Sequence, residues 1–90
     1  MYSFAASEFY TTMRQYPRFR ADHPPSPGGV PGTSHLRYTD DHHTVVFVGS
    51  AYQMRLRITR QKDQKHVVVL DHNFESFADL KQRLGEILDA

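Results

Sequence analysis

The chain reads as one α+β domain. The predicted form is a two-layer sandwich in the order α-β-β-β-α, with a three-stranded antiparallel sheet carrying both helices on one face. A long Pro/Gly-rich loop follows the first helix. Three observations predict it. Tyr52, Met54, Leu56 and Ile58 alternate with Gln53, Arg55, Arg57 and Thr59, the period-two pattern of a half-buried strand. Phe77, Leu80, Leu84, Ile87 and Leu88 fall on one face at helical spacing. Four of the five prolines and three of the five glycines crowd between Pro24 and Gly32, where a regular element cannot form.

In chain order, residues 3–16 are predicted helical. Phe9, Met13 and Tyr16 recur at i, i+4 and i+7, with Phe4 as a further anchor. Ser3 can cap the start and Pro17 stops the helix, because it lacks an N–H and disfavours helix at the residue before it. Residues 21–35 form the flexible loop, read first as a surface insertion. Pro24 and Pro27 also have PxxP spacing, which suits an SH3-like groove, and Ser26-Pro27 is a phosphorylation dipeptide.

His35–Tyr38 suits a short edge strand, followed by a turn at Asp40-Asp41. Thr44–Val48 is β-branched and aromatic, and Gly49-Ser50 supplies a two-residue turn into the strand Tyr52–Arg60. Gln61–Gln64 is a polar turn. His66–Leu70 lacks alternation, as expected of a strand central in the sheet or covered on both faces. Short turns make these strands antiparallel neighbours. The closing helix spans about 74–88, with Asn73 or Ser76 as its cap and Gly85 either weakening its last turn or letting it sit close to the sheet.

Composition bounds the function. Ninety residues make a single domain, 1–90, with a small core. Charged residues are 23% and the hydrophobic set 39% of the chain, ordinary globular usage. The net charge of +1 gives no long-range pull toward nucleic acid or membrane. There is no cysteine, which removes disulfides, thiolate metal sites and a cysteine nucleophile and favours a cytoplasmic setting. The N-terminus has no positively charged n-region, and the longest apolar runs, Val45–Val48 and Val67–Leu70, are far short of a membrane span, so no membrane role is expected.

No catalytic motif is present. The serines lie outside any G-x-S-x-G context, the glycines open no helix as a phosphate cradle, and Asp40-Asp41 has no apolar pocket. Six histidines, with His42 and His43 beside Asp40 and Asp41, have no metal-binding spacing and read as solvated turn residues. A pH response through the same residues is the cheaper use. The expectation is therefore not an enzyme and no cofactor. The expected function is a protein-interaction module, self-associating as a homodimer or a subunit of a larger complex, because a small core and Val-rich strands leave an edge that templates pairing.

The alternative is RNA binding. Arg55 and Arg57 share the outward face of their strand, and Arg60, Lys62, Lys65 and His66 surround the following turn. The order helix, three strands, helix, with Met54–Thr59, a basic turn, Val67–Val69 and Phe77–Leu88, resembles the C-terminal half of the Alu-binding proteins of the signal recognition particle. That resemblance covers about half the chain. It implies RNA on the outer sheet face, with Arg55, Arg57 and Lys62 on phosphates. Arg55–Leu88 is also similar to the strand-turn-strand-helix opening of ubiquitin-like and doublecortin-type folds, which bind macromolecules.

Overall fold

In the computed structural model, residues 5–23, 34–50 and 53–89 are described. The PxxP and Ser26-Pro27 motifs, Ser3, Phe4 and Tyr52 lie outside them. The element order is α1 (Ala5–Met13), β1 (Arg20–Ala21), β2 (Ser34–Thr39), β3 (His43–Gly49), β4 (Met54–Lys62), β5 (Lys65–Asn73) and α2 (Phe77–Leu88). The class is α+β, as the sequence predicts, but the antiparallel sheet has five strands in the order β1-β2-β3-β4-β5 rather than three.

The two added strands have a common cause. β2 is longer than the stretch from His35 to Tyr38, and it is interior rather than an edge, because β1 pairs with it through Arg20–Thr39 and Ala21–Tyr38. Two residues carry no periodicity, and the chain just after β1 is held by individual bonds. Asp22 N–H donates to the Arg37 carbonyl at 2.8 Å, and Arg37 N–H donates to His23 Nδ1 at 3.0 Å. Arg37 also donates through Nε to the Asp22 carbonyl and forms an ion pair with its carboxylate at 3.0 Å.

α1 ends at Met13, four residues before Pro17. The amides of Gln15 and Tyr16 donate to the carbonyls of Thr12 and Met13, tightening the chain into a turn before the proline. Thr11 and Thr12 fit inside the helix because their hydroxyls bond the Ser7 and Glu8 carbonyls one turn back. α2 starts later than 74: Ser76 is its cap, extended at φ −136° and accepting from the Asp79 amide. Phe74 remains buried just ahead of it.

β3 and β4 pair from His43–Arg60 to Gly49–Met54, so the connection between them runs over residues 50–53 rather than the two residues Gly49-Ser50, and is closed by the Ser50 amide on the Gln53 carbonyl. Gly49 is required here by packing: a Cβ would sit 2.7 Å from the Phe47 ring. The β4–β5 turn is tighter than Gln61–Gln64. Only Asp63 and Gln64 lie outside the strands, at φ 52° and 66°, the two positive values of a type I′ hairpin.

One apolar cluster holds the molecule together. It takes Leu36 and Tyr38 from β2, Val45 and Phe47 from β3, and Met54, Leu56 and Ile58 from β4, joined by Phe9 and Met13 of α1 and Leu80, Leu84, Ile87 and Leu88 of α2. Directly paired strand residues such as Leu36–Phe47–Leu56 and Tyr38–Val45–Ile58 share one sheet face, so the alternation of β4 is a true inside–outside pattern. Phe9 stacks on Phe47 with ring centroids 4.7 Å apart and meets Tyr38 edge-on at 5.8 Å. Burial pushes the Tyr38 hydroxyl pKa up to about 12, with Tyr10 adding to the rise and Arg14 opposing it. Among the described residues, no helix is long and apolar enough to cross a membrane.

Candidate interaction surface

The two edges of the sheet are unlike. β1 is two residues long, and the chain beyond it is tied to β2 by Asp22 and His23. β5 is nine residues long, and among the described residues nothing pairs with its outer side. The expectation of a strand central in the sheet or covered on both faces is therefore corrected: β5 is an edge strand. Of its residues, only Leu70 is even half-buried. Val67, Val68 and Val69 are 47%, 48% and 38% exposed, three consecutive β-branched side chains on an unpaired backbone. A Val-rich run arises from central placement or from an edge awaiting a partner, and periodicity does not separate them.

The far half of the β4–β5 hairpin also leaves the core. β4 is buried at Met54, Leu56 and Ile58, half-buried at Thr59, then exposed through Lys62. Between Ile58 and Thr59 the register slips: Ile58 faces Leu70, but Thr59 faces Val68, leaving Val69 as an extra residue, a β-bulge. The arm beyond it carries the basic residues named from the sequence, but not as one patch. Arg55 and Arg57 lie on the face opposite the core, whereas Arg60 and Lys62 fall on the other parity of β4, and Lys65 is paired directly with Lys62.

The charges are also unequally free. Arg55 holds Asp71 through two bonds of 2.7 Å, one from Nε and one from the terminal nitrogen. This hydrogen-bonded guanidinium keeps the Asp71 carboxyl below its ordinary range, against the opposing effect of desolvation, with Arg57 assisting from nearby. Arg60 donates to His43 Nε2 at 3.2 Å. Among the described residues, the outer face carries a pocket of about 160 Å³ lined by Val46, Val48, Arg55 and Arg57.

The histidine and aspartate cluster has a structural role that its local spacing does not show. Asp40, with its side chain only 6% exposed, accepts from the amides of His42 at 2.8 Å and His43 at 2.5 Å and from Arg18 Nε at 3.0 Å. Arg18 passes on to the Leu88 carbonyl at the end of α2 at 2.9 Å. One arginine thus clasps the β2–β3 turn to the last turn of the closing helix. His43 Nδ1 is buried without a hydrogen bond, 3.4 Å from Asp40 Oδ1. His42 is exposed, and among the described residues no group of three potential ligands converges as a metal site.

A groove of about 500 Å³ is lined by Ser7, Glu8, Thr11 and Thr12 of α1 and Phe77, Ala78 and Lys81 of α2. No family model, no curated protein and no solved structure matches the chain. The helix–three-strand–helix order behind the likeness to the Alu-binding proteins is not the order of this fold, which has five strands among the described residues.

Proposed function

We propose that the chain is a small non-enzymatic protein-interaction module that acts through the open edge of β5, as a self-associating protein or a subunit of a larger complex in the cytoplasm. The observation that carries this is the asymmetry of the edges: one is two residues long and tied down, the other nine residues long with three exposed valines. Proteins blunt long edges with charge, proline, a covering element or a bulge. The middle of β5 has no charge, and among the described residues the bulge is the one such device on it. Both helices are placed on the same face of the sheet, supported by the single apolar cluster they share with alternate strand residues. That arrangement leaves the opposite face and the β5 edge for partners.

The test is Val68→Lys, which puts a charge on the edge without touching the core. Cross-linking in the native cells should trap the wild-type chain in complexes above monomer mass and fail to trap the variant, with melting unchanged. If wild type and variant are both recovered as monomers, the reading is wrong.

A second reading, RNA binding, is supported by the direct pairing of Lys62 with Lys65, a like-charge cross-strand pair that an anion would relieve, and by exposed Arg57. Arg55, neutralised by Asp71, contributes least. Fluorescence titration with single-stranded RNA at low salt should show binding that Lys62→Glu with Lys65→Glu weakens at least tenfold, a loss of about 1.4 kcal/mol. A flat titration, or one the variants leave unchanged, eliminates this reading.

A further inference from the structure

We propose that the occupant of the β5 edge is β5 of a second copy of this chain, paired antiparallel across a two-fold axis that passes between Val68 and Val69. This rests on β5 being the interaction edge and adds the partner and the register. The bulge is what selects both. On a regular strand, residues an odd number of positions apart lie on opposite faces. On β5 that rule changes at Val69. Val67 faces Arg60 and Leu70 faces Ile58, and Arg60 and Ile58 have the same parity on β4. So Val67 and Leu70, three apart, share a face. By the same register His66, opposite Gln61, shares the other face with Asp71, opposite Arg57. Lys65, opposite Lys62, shares a face with His72, opposite Leu56.

Facing residues in a sheet must share a face. A regular strand laid on this edge meets that condition on one side of Val69 and violates it on the other. A second β5, running antiparallel, carries the matching irregularity. When Val67 faces Leu70 of the other copy, every further pair matches in face: His66 with Asp71, and Lys65 with His72. Val68 and Val69 meet at the axis. The chemistry of the pairs agrees. Valine meets leucine, valine meets valine, and His66 meets a carboxylate that Arg55 already holds ionised. A shift by two residues places Val67 opposite His72 and Val68 opposite Asp71, apolar against polar. The assembled sheet is continuous across the axis, and the two exposed valine runs cover each other.

The chain contains no cysteine, so introduced cysteines report cleanly. Purified wild type should sediment as a dimer that dissociates on dilution, and Val68→Lys should raise its dissociation constant at least tenfold, with unchanged melting at a dilution where both are monomers. A mixture of Val67→Cys and Leu70→Cys chains should oxidise to the mixed disulfide in preference to either symmetric one. A monomer at about 1 mM overturns self-pairing. If Val68→Lys still abolishes complexes with another protein in cells, the wider reading of the edge stands on its own. A dimer indifferent to Val68→Lys, or one without the mixed disulfide, overturns the pairing stated here.

Discussion

Asp40 shows how much one buried carboxylate can organise. Burial alone raises its pKa, but the amides of His42 and His43, then Arg18, and the nearby His43 more than offset that, leaving the carboxyl below its ordinary value. The sign of the pH effect follows. A carboxyl whose folded pKa is depressed contributes stability that is complete above its unfolded pKa of about 3.9 and is lost as pH falls through the folded value. Wild type should therefore lose melting temperature below about pH 4, and Asp40→Asn should lose less over that interval while starting lower. A parallel pH dependence in the two proteins would show that Asp40 is not the group responsible. At neutral pH Asp40→Ala should cost about 1–3 kcal/mol by urea denaturation, because the amides of His42 and His43 lose their acceptor. Gly49 is a second such position. A methyl there meets the Phe47 ring, which is fully buried and stacked on Phe9, so Gly49→Ala should destabilise by about 1–3 kcal/mol.

Elements differ in how far their residues announce them. The stripe Leu80, Leu84, Ile87, Leu88 and the alternation of Met54, Leu56 and Ile58 are legible in the sequence because the side-chain period of each element maps directly onto burial. β1 is not legible: two residues have no period, and the strand's extension depends on Asp22 and His23 meeting Arg37 some fifteen positions later. The placement of β5 is not legible either, since three valines in a row satisfy a central strand and an open edge equally. Nor is the clasp from Arg18 to Asp40 and Leu88, whose partners come from separate parts of the chain. The β4–β5 turn offers a direct check on element chemistry. Asp63 and Gln64 both adopt left-handed φ, costly for a residue with a Cβ, so Asp63→Asn with Gln64→Gly should stabilise the hairpin by about 0.5–1 kcal/mol. An unchanged or lower urea midpoint would contradict this assignment of the turn. Gly85 has a different outcome from Gly49. The nearest atoms to an added methyl are Asp89 at 3.5 Å and the Tyr16 hydroxyl at 3.9 Å, not the sheet, so Gly85→Ala should add up to about 1 kcal/mol through helix propensity.

At the scale of the whole molecule, stability and exposure are distributed unevenly, and the uneven part is the proposed interaction surface. The apolar cluster binds α1, α2 and strands β2 to β4, while the arm beyond Ile58 and Leu70 contributes no fully buried side chain. Such a segment opens without unfolding the rest, because its opening exposes little that was not already exposed. Native-state hydrogen exchange at high dilution separates the two behaviours. Amides of Val45, Phe47 and Leu56 should exchange only through global unfolding, and those of the arm, among them Gln61, which donates to the His42 carbonyl at 2.8 Å, through a local opening. Leu84→Ala removes a fully buried side chain and should lower global stability by about 2–5 kcal/mol. Protection in β3 and the first half of β4 should fall by that amount, while protection in the arm stays where it was. Raising the protein concentration should increase protection along β5 and also that of the core amides, because pairing stabilises the folded state against global unfolding. If Leu84→Ala lowers arm and core together, the arm is part of one cooperative unit, and β5 must be read as a strand held by the core rather than one kept open for a partner.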